Sequence, residues 1–326
     1  MEYQLPNATA YNETCSNIGN AMWNWRMLRI DGDPKYADVM ELVAYNTMLS
    51  GVSIDGKNFF YTNPLRWYGS EHSLLSHDQL SRWYIYTCYC CPTQVARSIA
   101  GLHKWAYCLS DEGLWVNLYG SNRLETKLVD GSPLKLTQET DYPWDGSIKI
   151  TIQEDGKFAL MLRIPAWAER AEIRINGAAA DTEARPGTYA AVERKWSDGD
   201  QIELILPMEA RLVKAHPRVE EARNHAAVMR GPVGYCLESV DLPDGVGIAE
   251  IHVPRDIQLI PRHDQDLLGG LTVLEGEALR IHQGEWDGRL YRNMSKGSAE
   301  EIHITLIPYY AWANRGISEM TVWIPL

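Results

Sequence analysis

Near residue 110 the spacing of apolar residues in this chain changes from helical to strand-like, and it does not change back. Upstream, "ETCSNIGNAMWNWRMLRI" carries Ile18, Ala21, Met22, Trp25 and Leu28 at helical spacing, the mark of one helix face. Trp23 and Met27 add apolar surface elsewhere on the same helix, which therefore expects protein on more than one side. A second helix is predicted in "DGDPKYADVMELVAYNTMLSG", with Asp33 as N-cap, Pro34 in the first position and Gly51 after the end. A third begins at Pro92 and sets Val95, Ile99, Leu102 and Ala106 along one side. Between the last two, "GVSIDGKNFFYTNPL" reads as a hairpin turned at Asp55-Gly56.

Downstream, alternation dominates. "SIKITIQEDGKFALMLRIP" is two strands around a turn near Asp155-Gly156, and "AEIRINGAA", "DGDQIELILPM", "HAAVMRGPVGYCLE", "EEIHITLIPYYAW" and "EMTVWIPL" continue the pattern. Regular strands over this length predict two β-sandwich modules, with a break between Pro207 and Arg218. The expected fold class is multidomain α + β. Helices occupy residues 1–110, one β-sandwich 111–210 and a second 211–326.

The formal net charge of −12 gives no electrostatic footprint for nucleic acid or an anionic membrane. No apolar run has the length of a membrane span, and residues 1–20 lack the charged-then-apolar pattern of a secretory signal. Six cysteines, at 15, 88, 90, 91, 108 and 236, are too few and too clustered for a secreted disulfide scaffold. A cytoplasmic setting is the expectation. With 12 Trp and 17 Tyr against 3 Phe, the aromatics suit stacking on sugars, and equally suit sandwich cores and rims.

The cysteines carry the sharper signal. Cys90 and Cys91 immediately precede Pro92, at the N-terminal end of the third helix, where the helix dipole and free N–H groups favour a thiolate. Glu13 and Cys15 hold the equivalent place on the first helix. Two helix starts, each with two anionic donors, could converge on one cation, and a carboxylate with three thiolates suits zinc. The spacing is not that of a zinc ribbon, and small buried cysteines remain the competing explanation. Cys88 is the spare thiol of the cluster; Cys108 and Cys236 fall in helix and strand patterns that suggest core packing.

"ETCSNIGNAMW", "DPKYADVMELVAYNTMLSGVSIDGKNFFYTNPL", "CYCCPTQVARSIAGL", "LRIPAWA", "AAVMRGPVGYCLE" and "PYYAWANRGISEM" together resemble glycoside hydrolase family 127, the β-L-arabinofuranosidase family. The likeness runs in order along nearly the whole chain. It implies part of an (α/α)6 barrel followed by two β-sandwiches, and Zn2+ on Glu13, Cys15, Cys90 and Cys91. It implies that Cys90 is the nucleophile, attacking the anomeric carbon to hold the sugar as a thioglycosyl intermediate. Glu41 and Tyr61 match positions that contact the bound furanose. On their own, Glu41 would pass for a solvated helix carboxylate and Tyr61 for a packed strand aromatic. Two displacements at one carbon retain its configuration. The implied substrates are arabinofuranose-containing plant glycans or oligosaccharides.

The resemblance also places the general acid/base Glu upstream of the ETC motif, before Met1, and Glu2 does not align with it. The expectation is therefore the C-terminal half of such an enzyme, with a separate N-terminal barrel half as a candidate partner. Two alternatives stand beside it: a sister furanosidase specificity, and a non-catalytic, zinc-stabilised carbohydrate-binding or scaffold fragment.

Overall fold

The computed structural model describes residues 2–70, 80–85, 87–284, 286–293 and 298–326. The molecule is mostly β, with three α-helices among the described residues: α1 (Thr14–Asp31), α2 (Lys35–Val43) and α3 (Cys90–Gly101). None is long and apolar enough to cross a membrane.

The second helix begins one residue later than expected, with Pro34 at the cap position and Lys35 first. The Asp33 carboxylate accepts the Lys35 amide at 3.0 Å, which satisfies one of the free N–H groups at the start of α2. That helix passes into a π-helical turn, Ala44–Met48, ahead of Gly51. The third helix starts at Cys90, two residues before the expected Pro92, and closes in a 3-10 turn over Leu102–Trp105. Ile18, Ala21 and Leu28 of α1 are buried, while Trp23 and Ile30 are exposed, as is Ile99 of α3.

The chain forms two compact units. One comprises Met1–Cys15, Asn46–Pro92 and Ala210–Leu326; the other Ser16–Tyr45 and Thr93–Glu209. In the second unit two sheets share one core. A four-stranded sheet runs in the order Thr188–Trp196, Gly156–Ile164, Gly113–Val116, Tyr107–Ser110. A six-stranded sheet runs Asn122–Lys127, Pro133–Glu139, Ser147–Ile152, Gln201–Ile205, Glu172–Ile175, Ala178–Ala179. Leu134, Leu136, Ile148, Ile150, Ile152, Leu160 and Leu162 are fully buried between them, as strict alternation dictates. The two strands flanking Asp155-Gly156 are present but do not pair: the chain crosses there from the six-stranded to the four-stranded sheet.

In the first unit a branched sheet, ten-stranded among the described residues, takes strands from both ends of the sequence. Arg66–Trp67 pairs antiparallel with Met320–Thr321, which pairs with Val233–Glu238, itself paired with Ala299–Pro308. The expected hairpin at Asp55-Gly56 is present: Ser53 N–H donates to Asn58 O at 2.7 Å, Val52 bridges Phe59, and Gly56 takes a φ of +71° that suits glycine. Phe59 bridges Trp83 on its other side, and Thr62 bridges Glu13. The start of α1 and the approach to α3 are thus both tied to the 59–62 segment.

Candidate metal and thiol site

Four donor groups meet in the first unit. The Cys90 sulfur lies 3.6 Å from that of Cys91 and 3.7 Å from Glu13 Oε1, and the Cys15 sulfur lies 3.7 Å from that of Cys91. All four donor atoms fall within 4.8 Å of one another. A disulfide is excluded as the reason for the crowding, since every cysteine is free and a bond would need about 2.05 Å. Simple core packing does not account for it either, because an apolar cluster gains nothing from holding a carboxylate against three thiols.

The donor set fits a tetrahedral zinc ion. Zn–S bonds of about 2.3 Å place ligand sulfurs about 3.8 Å apart on the tetrahedral edge, and the Cys91 sulfur lies 3.6 Å from that of Cys90 and 3.7 Å from that of Cys15. Burial, together with hydrogen bonds to Cys88, Cys15 and Cys91, pushes the Cys90 thiol up. Burial first, and the neighbouring Cys15 next, push Cys91 up to about 12. Such thiols ionise at neutral pH only beside a compensating positive charge.

The four donors are not equivalent. Cys91 is wholly buried, whereas Cys90 keeps part of its surface exposed. Cys88 approaches Cys90 to 3.4 Å and stands outside the four-donor set. Phe59, Tyr61 and Trp83 pack around the thiols.

Tyr61 is brought to this site. Its carbonyl accepts the Thr14 amide at 2.9 Å, and its hydroxyl accepts from Tyr11 at 3.3 Å. The Tyr11 bond, burial and the Glu13 carboxylate push its phenol up. Tyr11 was not singled out from the sequence, although it is an aromatic two residues before the ETC motif.

Glu41 belongs to the other unit and has a network of its own. Only 1% exposed, its carboxylate accepts from Arg163 Nη2 at 2.5 Å, Tyr142 hydroxyl at 2.6 Å and Trp167 Nε1 at 3.4 Å. Arg163, with no exposed surface, also donates to Asp38 and to the Asn117 carbonyl, both at 2.5 Å. Burial opposes the guanidinium charge, and the carboxylates of Glu41 and Asp38 more than offset it.

Among the remaining cysteines, Cys236 is fully buried in its strand, as its pattern suggests. Cys108 is half-buried and accepts from Asn117 Nδ2 at 3.4 Å.

Comparison with known proteins converges on one family. The chain matches the models for "Beta-L-arabinofuranosidase, GH127 catalytic domain" over residues 1–104, "Beta-L-arabinofuranosidase, GH127 middle domain" over 113–208 and "Glycoside hydrolase family 127 C-terminal domain" over 210–325. It is 34% identical over 344 residues to a non-reducing end β-L-arabinofuranosidase of Bifidobacterium longum subsp. longum, covering 98% of this chain and 50% of that protein. A solved glycoside hydrolase structure is 46% identical with a TM-score of 0.93, covering 99% of this chain and 54% of the other. A solved GH127 β-L-arabinofuranosidase from Geobacillus stearothermophilus T6 is 40% identical with a TM-score of 0.92, covering 99% and 51%. The chain spans about half the length of the curated relative it matches.

Proposed function

Because this chain belongs to glycoside hydrolase family 127, we propose that it carries the thiol and zinc machinery of a retaining β-L-arabinofuranosidase acting on arabinofuranose-containing plant glycans or oligosaccharides. The observation that carries this reading is the convergence of Glu13, Cys15, Cys90 and Cys91, with Cys90 the partly exposed member of the adjacent pair. Residues 1–110 would be the C-terminal part of an (α/α)6 barrel, and 111–210 and 211–326 two β-sandwiches. The two sheets of the second unit, closing on one core, support the first of these sandwich assignments.

Glu13, Cys15, Cys90 and Cys91 would hold the zinc ion, which when bound keeps its cysteine ligands ionised at neutral pH. The Cys90 thiolate attacks the anomeric carbon of the furanose. The C1–O bond to the leaving group breaks as the S–C1 bond forms, and the leaving oxygen takes a proton from a general acid. Water then attacks C1 from the face the leaving group left, releasing Cys90 and giving arabinose of retained configuration. Tyr61, beside Glu13, is suited to orient the ring through its hydroxyl. The family resemblance places the acid/base Glu in the N-terminal half of the barrel, and the complete reaction would draw on that half. A sister furanoside would use the same machinery.

For Glu41 the resemblance assigns a furanose contact. Its bonds from Arg163, Tyr142 and Trp167 support a second role, as the counter-ion that anchors Arg163.

The test uses the 326 residues alone with a nitrophenyl β-L-arabinofuranoside, whose leaving group needs no proton. Without an acid/base to activate water, the sugar should accumulate on Cys90, giving an adduct in intact mass spectrometry that Cys90→Ser lacks. Natural disaccharides should turn over about 10² to 10⁴ slower than in a complete enzyme, the usual worth of general acid catalysis. An adduct that persists in Cys90→Ser, or brisk disaccharide hydrolysis by this chain, would sink the assignment. A zinc-loaded chain that binds sugar but never forms an adduct would favour the non-catalytic scaffold.

A further inference from the structure

We propose that Asn63 is a positioning residue: it seats the Glu13–Cys15 ligand pair against Tyr61 and so sets the geometry of the metal and thiol site. The inference rests on the zinc reading given above and assigns a role to a side chain that is neither ligand nor nucleophile.

Asn63 has no exposed surface, and each of its polar atoms is engaged. Its amide N–H donates to Asn12 O at 2.9 Å, and its carbonyl accepts from Asn12 Nδ2 at 2.6 Å and from the Tyr309 hydroxyl at 2.9 Å. In its side chain, Oδ1 accepts from the Ser50 hydroxyl at 3.0 Å, and Nδ2 donates to Thr14 Oγ1 at 2.8 Å.

Thr14 is the middle residue of the ETC motif, between two of the four donors, and it too is fully buried. Its single hydroxyl proton goes to Phe60 O at 3.2 Å, which leaves its lone pairs to accept from Asn63. Its backbone N–H goes to Tyr61 O at 2.9 Å. The methyl face is confined as well. A Cβ added at Gly51 would lie 2.5 Å from Thr14 Cγ2 and 2.8 Å from its Oγ1, so the backbone passes there only because residue 51 is glycine. Thr14 therefore has one seat, made by Gly51, Phe60, Tyr61 and Asn63, and Glu13 and Cys15 are carried on either side of it.

The donor and acceptor ends of the Asn63 amide are both committed. Aspartate at this position would set an acceptor against the Thr14 oxygen and bring a negative charge towards a site of four acidic groups. Alanine would leave the buried Thr14 oxygen without its donor and leave the Ser50 proton only the Thr47 carbonyl, at 3.2 Å. Groups that orient metal ligands without touching the metal typically change affinity about 10- to 100-fold when removed.

The experiment loads the full chain with Co2+, whose visible absorption reports tetrahedral thiolate coordination, and measures Zn2+ affinity by competition with a chelator. Asn63→Ala, Asn63→Asp and the near-isosteric Thr14→Val should each weaken Zn2+ binding about 10- to 100-fold and alter the cobalt bands. Ile304→Ala, a cavity in the sheet of the same unit, should lower the melting temperature but leave the bands and affinity as in the unaltered chain. Thr14→Val gives the reading if Asn63→Ala does not fold. Unchanged bands and affinity in a folded Asn63 or Thr14 variant overturn the proposal, as does an equal effect from Ile304→Ala. Failure of the unaltered chain to take up either metal overturns the zinc reading and this inference with it.

Discussion

The sulfur of Cys91 lies 3.7 Å from that of Cys15, a residue 76 positions earlier in the chain. Neither is in a disulfide, and with Cys90 and Glu13 they make a set of donors that could hold a cation. The purified chain, prepared without chelator, should contain one equivalent of zinc by elemental analysis. Cys15→Ser should lower both metal content and melting temperature, and chelation should destabilise the unaltered protein. Metal held at a thousandfold above its dissociation constant contributes about 4 kcal/mol. A metal-free preparation that gains nothing from added zinc would contradict the site.

The pH dependence should reverse sign between the metal-free and metal-loaded forms. Without metal, the Cys91 thiol is pushed from 9.0 up to about 12 in the folded chain. A raised folded-state pKa contributes stability that is complete below the unfolded value and is lost as pH rises through the folded one. Metal-free protein should therefore lose stability between pH 9 and about 12. Metal binding instead displaces thiol protons, so zinc affinity should fall on acidification, by about tenfold per pH unit for each proton displaced. Chelator competition across pH 6 to 8, beside alkaline denaturation of the metal-free form, checks both limbs.

Glu41 offers a separation of roles. Removing one partner of a buried ion pair costs about 3–5 kcal/mol, because the other charge is left uncompensated. Glu41→Ala should destabilise by that order. The double variant Glu41→Gln with Arg163→Met should cost less than the two single changes summed. If Glu41 instead serves mainly as a sugar contact, Glu41→Gln will weaken arabinofuranoside binding at an unchanged melting temperature.

The tryptophans of the β modules should act on stability more than on sugar affinity. Trp312 is 1% exposed and stacks on Phe60 at 4.8 Å, so Trp312→Ala should cost about 3–5 kcal/mol. Trp167→Phe removes the indole donor to Glu41 and should cost about 1 kcal/mol. Trp144, 37% exposed, should tolerate alanine with little effect. Large losses of sugar affinity at unchanged melting temperature would show instead that these rings bind glycan.

Local chemistry was legible from the sequence. The start of α2 within one residue, the Asp55-Gly56 hairpin, the start of α3 within two residues and the alternation of Leu134, Leu136, Ile148 and Ile150 all follow from short-range preferences, which a single stretch of chain contains in full. The four donors were legible too, because cysteines crowded at a helix start have few purposes. Pairings between distant segments were not. Nothing in "SIKITIQEDGKFALMLRIP" says that its two strands enter different sheets, since the alternation is the same whichever neighbour a strand acquires. Nothing near Arg66 says that its strand pairs with Thr321. Glu41 reads alone as a solvated helix carboxylate, and only the fold sets Arg163, 122 residues later, against it and closes water out. Asn63 is the same case at the site: a polar residue in a loop until the chain returns Thr14, Ser50 and Tyr309 to it. Periodicity and capping belong to the local chain, whereas the partner of a buried polar group is chosen by topology, and that choice was made in the tertiary structure.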